Sequence, residues 1–443
     1  MACVDEKVKV VESCIVTPSE EMPRHRLWLS PLDLMMVNRG HTPNVYFYRY
    51  ASSSGVVDDI FFDVARLKAA MAKALVSFYP LAGRLGVDGD GRAEIDCAGQ
   101  GAHFVVARSD LTVDDFSDCQ PSLELKRLFV PRIVDDSPCV MLAVQLTFFK
   151  CGGVALGTAL HHVAIDAVSA VHFFETWSAF SRAGSRENHV AQVLELPCHD
   201  RTLLRARSPP RVVHPDAVAV FWPLKDNPNI SEPSPPPGPV VNEIFVVSKD
   251  QIAALKHASS GASTFCAVSA HVWRCMCVAR RLAPEATTRL TFPANFRRSL
   301  RPPLPARYFG NGIIMVGAAG KVRDIASEDQ LALASVAERV KEAVRGLEDE
   351  LVRSTIDYLE MNGAPPASSM PETEVRIVSW LGMPVYDVDF GWGKPLTMMR
   401  AVQQRAGLIY LIDGEQGDGG VRILLSIEAE ALEDFQRLLY KNL

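Results

Sequence analysis

Apolar residues recur at every second position in four stretches of the first half of the chain: NVYFYRYA, GAHFVVAR, CVMLAVQLTFF and GVALGTAL. Such alternation, rich in β-branched and aromatic side chains and bounded by glycine or polar clusters, predicts strands. Between them, VARLKAAMAKALVSF and AVSAVHFFETWSAFSR repeat their apolar positions every three or four residues and predict helices. From residue 196 to 239 the texture changes to a proline-dense run containing PPRVVHPD and NPNISEPSPPPGPVV, which supports neither a helix nor a central strand. This segment reads as a linker or crossover. Beyond it, strand patterns at VVNEIFVVS, TRLTFPANF, EVRIVSW, LIYLID and GGVRILLSIEA are interleaved with helical ones at KDQIAALKHAS, TFCAVSAHVWRCMCVARRL and one long run, EDQLALASVAERVKEAVRGLEDELVRSTIDYLEMN. The pattern predicts an α/β protein of two mixed domains of similar size, 1–195 and 240–443, joined by the 196–239 crossover.

A chain of 443 residues with 48% hydrophobic residues exceeds what one core holds and can fill two. A net charge of −6 and a pI near 6.0 leave no basic face for phosphates, which argues against nucleic acid as a partner. No apolar run approaches the roughly 20 residues that span a bilayer. The opening MACVDEKVKVVESCIV mixes acids and lysines before any apolar stretch, so a cytoplasmic protein without membrane contact is expected. The ten cysteines show no C-x-x-C pair and read as reduced, mostly buried thiols. His271 and Cys275, four apart, fit a plain helix face better than half of a metal site, and no metal is expected. The acid-rich VDGDGRAEID lacks the spaced ligands of a calcium loop and reads as a hairpin turn through residues 88–91.

Chemistry concentrates in LHHVAIDAVSA, residues 160–170. A histidine between a buried-type strand and a core-facing helix, with an aspartate four positions on, admits two readings. His162 and Asp166 either form an ordinary surface pair on one helix face, worth a few tenths of a kcal/mol, or His162 is a base. Imidazole titrates near neutrality, and a well-placed base contributes about 10²–10⁴ in rate. Asp166 would then support the ring or the loop.

A second stretch, DVDFGWGKP at 387–395, shifts the balance. HHVAID followed far downstream by DFGWG resembles the signature pair of the BAHD acyl-CoA-dependent acyltransferases. HTPNVYFYR (41–49), SFYPLAGRL (77–85), HVWR (271–274) and YFGN (308–311) are similar to further landmarks of that family, in its hydroxycinnamoyl-CoA branch, so the resemblance covers nearly the whole chain. It implies two chloramphenicol-acetyltransferase-like domains with a solvent channel between them. It also implies a monomer with no permanently bound cofactor, and hydroxycinnamoyl-CoA as acyl donor. His162 would deprotonate the acceptor in a ternary complex. Asp166 would turn aside to bridge Arg297 structurally; Asp389, Gly391 and Gly393 would shape the supporting loop. Trp392 would either pack or offer its N–H to the acyl oxygen. One departure is Ala167, where the family usually has glycine; another is Asn295, where an aspartate is usual.

The resemblance also bears on the acceptor. Thr42, Asn44 and Tyr46 match acceptor and acyl pocket positions, with Asn44 in place of a serine. The shikimate-type enzymes bind a carboxylate with an arginine two residues after the tryptophan of an SWxRLP-like stretch; here SWLGMP puts Gly382 there, after Trp380. A charge clamp is not replaced by a hydrogen atom. Glu372 and Glu374 nearby could attract an ammonium. The expectation is therefore transfer to an aliphatic amine such as putrescine or agmatine, with a shikimate or quinate O-acyltransferase as the alternative and a non-catalytic thioester-binding homologue as a third.

Overall fold

The computed structural model describes residues 7–50, 62–133, 139–183, 195–221, 238–329, 331–364 and 370–441. Fifteen strands are found among them: β1 (Val8–Val16), β2 (Arg26–Trp28), β3 (His41–Tyr48), β4 (Arg84–Val87), β5 (Ala93–Asp96), β6 (Ala102–Ser109), β7 (Leu142–Phe149), β8 (Val154–His161), β9 (Val240–Val247), β10 (Thr287–Asn295), β11 (Ile313–Lys321), β12 (Glu374–Ser379), β13 (Thr397–Arg400), β14 (Leu408–Asp413) and β15 (Val421–Glu428).

The chain divides into two compact units. The first comprises Met1–Arg205, Pro305–Gly312 and Met383–Val402, and the second Ala206–Leu304, Ile313–Gly382 and Gln403–Leu443. A boundary in sequence order is thereby corrected. DFGWG does not belong with residues 240–443; its segment joins the first unit, because β13 pairs antiparallel with β3.

The first unit holds a mixed six-stranded sheet in the order β1-β6-β7-β8-β3-β13 and a small sheet β2-β5-β4. Alternation along β3 and β8 turns Val45, Phe47, Ala155 and Ala159 into an apolar cluster with Leu125, Leu128 and Phe129, where Phe47 and Phe129 meet edge to face at 5.6 Å. The helices Val64–Ser77 and Ala167–Ala183 belong to the same unit; Tyr46, from the other side of β3, meets Phe174 of the second of them at 5.8 Å. The 88–91 hairpin turn is present, with the Asp88 carboxylate accepting the N–H groups of Asp90 (3.0 Å) and Arg92 (2.9 Å).

The second unit holds the order β11-β10-β12-β14-β15-β9. The long helix expected over 328–362 is two helices, Ala332–Arg345 and Asp349–Asn362, broken at Gly346. The first helix ends at Gly346, itself right-handed helical, and an extended Glu348 starts the second, a stop that apolar periodicity alone does not reveal. The second helix is tied down by Asp357, 1% exposed, which accepts from the Arg207 N–H (2.8 Å), its Nε (2.6 Å) and the Arg211 N–H (3.0 Å). Part of the crossover is therefore structural. Of the nine cysteines described, all are free thiols, but only Cys97, Cys266, Cys275 and Cys277 are buried. His271 bonds the Leu439 carbonyl at 2.8 Å, consistent with a helix-face role.

The tightest backbone approach in the first unit lies on β8. A Cβ on Gly157 would meet the Phe129 carbonyl oxygen at 1.7 Å. Gly157→Ala is expected to lower stability by at least the ~1–3 kcal/mol typical of overpacking, read as an earlier denaturant midpoint.

Candidate active site

Strand alternation decides where the two adjacent histidines go. Leu160, Thr158 and Leu156 on β8 lie opposite Thr42, Asn44 and Tyr46 on β3, and β13 sets Arg400 opposite Asn44 and Met398 opposite Tyr46. The ladder continues one residue past β8, through the His162 N–H to the Gly40 carbonyl at 2.9 Å. Period 2 then puts His162 on the face of Thr42, Asn44, Tyr46 and Arg400, and His161 on the other. His161 packs edge to face on His41, with ring centroids 4.9 Å apart, and its Nδ1 accepts the Val163 N–H at 3.3 Å. Burial pushes its pKa down to about 3, so it stays neutral.

His162 is half-buried with an enclosed Nδ1. That nitrogen faces the residue's own main-chain carbonyl at a geometry short of an ordinary hydrogen bond, and makes no other. A proton on Nδ1, towards that carbonyl, would leave the lone pair on Nε2. Burial holds the ring pKa below its ordinary value, and the positive charges of Arg39 and Arg400 push the same way, against Asp166 and the carbonyl.

Asp166 makes no i,i+4 helix pair with His162, because residues 162–166 form a turn and the helix begins at Ala167. Its carboxylate, 1% exposed, accepts the Ser169 N–H and the Gly312 N–H, each at 2.9 Å. The first of these is an N-cap bond. Ala167 needs no glycine's freedom, since it opens a helix.

Three residues outside the candidates close on the same turn. Asn311 donates through Nδ2 to the His162 carbonyl and to Asp33, both at 2.9 Å. Arg201 pairs with Asp33 at 2.9 Å and donates to the carbonyls of Val163 (3.2 Å) and Ala164 (2.8 Å). Arg201 sat in the presumed linker and Asp33 in an unremarkable PLDL; only YFGN hinted at Asn311.

In DFGWG, Asp389 accepts the N–H groups of Gly391 (2.7 Å) and Gly393 (3.0 Å), whose φ values of 108° and 100° require glycine. Arg182 donates to the Asp389 carbonyl and Ser181 to that of Phe390. The segment is thus clamped to the helix that follows His162. The Trp392 indole stacks on Phe62 at 5.0 Å and lies under the Arg66 guanidinium at 4.9 Å.

The pocket candidates divide. Thr42 donates to the Leu160 carbonyl at 3.1 Å, and Asn44 receives a long 3.4 Å contact from Arg400. Tyr46 is buried and its phenol pushed up by that burial, so it remains an O–H. Glu374 does not serve an ammonium: it is buried on β12 and ion-paired with Arg289. Glu372 is exposed, Gly382 donates its N–H to Asp413 at 2.7 Å, and Trp380 packs on Tyr410 at 5.1 Å. Arg297 is buried, its N–H donating to the Asn295 side chain at 3.1 Å. Among the described residues, one trio of possible metal ligands, His41, Cys139 and His161, has donor atoms within 4.8 Å. An ion there would compete with the 2.7 Å bond from His41 to the Val140 carbonyl and with the one His161 makes to Val163.

Comparison with known proteins gives the same answer as the motifs. The Transferase family profile matches residues 6–441. This chain belongs to the BAHD acyltransferase family. It is 44% identical over 461 residues to putrescine hydroxycinnamoyltransferase 1 of Oryza sativa subsp. japonica, covering 98% of this chain and 99% of the relative. It is 40% identical over 456 residues to shikimate O-hydroxycinnamoyltransferase of Nicotiana tabacum, with the same coverage. Among solved structures, vinorine synthase superposes with a TM-score of 0.73 at 25% identity, covering 97% of this chain and 96% of that one. The F. graminearum TRI101 complex with coenzyme A and deoxynivalenol gives 0.74 at 20% identity, covering 92% and 96%. The fold is the two-domain, chloramphenicol-acetyltransferase-like one, and the chain is an acyl-CoA-dependent acyltransferase without a permanently bound cofactor.

If His162 is the base, burial of its ring predicts that kcat at saturating acyl-CoA and acceptor falls only at pH values below histidine's ordinary ~6.5. A pH profile with its acid limb at or above that value contradicts the electrostatics of the site.

Proposed function

We propose that this enzyme moves a hydroxycinnamoyl group from CoA to an aliphatic amine such as putrescine or agmatine, with His162 as general base. The observation that carries the reading is the placement of an enclosed, neutral-biased His162 on the strand face of Thr42, Asn44 and Tyr46. Nε2 takes the proton from the acceptor nitrogen as that nitrogen bonds to the thioester carbonyl carbon. The tetrahedral intermediate then collapses, the C–S bond breaks, and the imidazolium returns the proton to the departing CoA thiolate. A cytoplasmic setting and a monomeric state belong to this proposal; among the described residues no helix is long and apolar enough to cross a membrane.

The preference for an amine is supported by Gly382, which stands where a carboxylate-binding arginine is expected, and by the 44% identity to a putrescine hydroxycinnamoyltransferase. With Glu374 committed to Arg289, the acids contribute nothing to it. The positive charges of Arg39 and Arg400, which reach His162, also favour a free amine over an ammonium. The same charges support a second reading, an alcohol acceptor carrying a carboxylate such as shikimate or quinate. A non-catalytic homologue would have no need of the base.

Offered p-coumaroyl-CoA with putrescine, agmatine, spermidine, shikimate and quinate at equal concentration, the enzyme is expected to form amides first. Faster ester formation on shikimate would transfer the assignment to the second reading. His162→Ala should cut CoA release by about 10²–10⁴; unchanged release would remove His162 from the mechanism.

A further inference from the structure

The carbonyl of residue 162 does two jobs. It faces the Nδ1 of its own ring, and it accepts the Asn311 Nδ2–H at 2.9 Å. Asn311 is fully buried, and its amide orientation is dictated by its surroundings: Nδ2 faces the His162 carbonyl and Asp33 Oδ1, both acceptors only. Reversal would set oxygen against oxygen. The Asn311 backbone N–H adds a second bond to the same Asp33 oxygen, at 3.1 Å. The other carboxylate oxygen accepts from the Ser30 N–H (3.0 Å), the Ser30 hydroxyl (2.7 Å) and Arg201 (2.9 Å). Arg201, 1% exposed, closes the loop by donating to Val163 and Ala164.

Two polar atoms of this network, Asn311 Oδ1 and Arg201 Nε, are buried without a partner. Leaving buried polar atoms unpaired is costly, and a leucine-sized apolar group would fill the same space without that cost. What the apolar group would lack is the N–H donor aimed at the His162 carbonyl, beside the Arg201 donors on the next two carbonyls.

We infer that Asn311 is a positioning residue for acyl transfer: anchored through Asp33 and Arg201, it fixes the His162 carbonyl and, through it, the tautomer and aim of the ring. The inference rests on His162 being the base. If the 162–163 peptide rotates, Nδ1 loses its carbonyl, the proton redistributes between the two nitrogens, and Nε2 no longer meets the nucleophile in its unprotonated form.

The test begins with the unaltered enzyme. Nitrogen-15 histidine spectra near pH 7, with the His162 signal assigned by its loss in His162→Gln, should show a protonated Nδ1 and an unprotonated Nε2; the opposite tautomer overturns the inference. Asn311→Ala and the milder Asn311→Ser are then compared below their melting temperatures. Both should lose kcat, the alanine variant by up to about 100-fold, as expected of a small misplacement of a catalytic group, with KM for acyl-CoA and acceptor little changed. Losing the carbonyl that favours the protonated ring should also move the acid limb of kcat to lower pH. A packing role predicts lower melting temperatures with kcat and the acid limb unmoved, and that result refutes the inference. Full turnover by His162→Ala would instead refute the base assignment, whatever the Asn311 variants do.

Discussion

Everything chemical in this enzyme depends on the alternation of a β-strand. Successive side chains leave opposite faces, so His161 and His162, adjacent and chemically identical, acquire unrelated environments. One is packed on His41 and kept neutral by burial; the other shares a face with Thr42, Asn44, Tyr46 and Arg400. A slip of one residue in the β3–β8 register would exchange them. The register is secured by β8's central position, between β7 and β3, and by the close approach of Gly157 to the Phe129 carbonyl.

Around that strand, charge is spent on the backbone. Asp166 caps a helix and holds the Gly312 N–H, Asp389 closes the Gly391–Gly393 turn, and Arg201 reaches two carbonyls as well as Asp33. Each restrains a loop in which helix or sheet bonding has ended, where main-chain donors and acceptors need other partners. Asp166 and Asp389, from the two signature motifs, both hold main-chain N–H groups.

Much of this was legible in the sequence, for reasons that differ between elements. Strands β3, β7 and β8 were visible because one face of each is apolar, and the helix after His162 because its core-facing positions repeat at 3.6. Strand β11 was missed: IIMVGAAGK fades into alanine and glycine, which carry no β signal. Strand β13 is four residues long and exists only by pairing with β3, a long-range event without a local trace. The break at Gly346 was hidden because amphipathic periodicity continues on both sides. His162 was singled out from its motif. Asp33 and Arg201 were not, since a buried ion pair between residues 168 positions apart leaves no spacing to detect. Glu374 was misjudged because a carboxylate looks solvent-directed until its partner, Arg289, is known.

The membership of residues 383–402 in the first unit changes what counts as half of this protein. A polypeptide ending in the proline-rich crossover looks like a natural fragment, yet it would lack the sixth strand of its own sheet. The bare flank of β3, with main-chain groups no longer paired, would then be open to any extended segment in solution, including that of another copy. Dissection or shuffling at the crossover severs a sheet, and the modular unit is discontinuous in sequence.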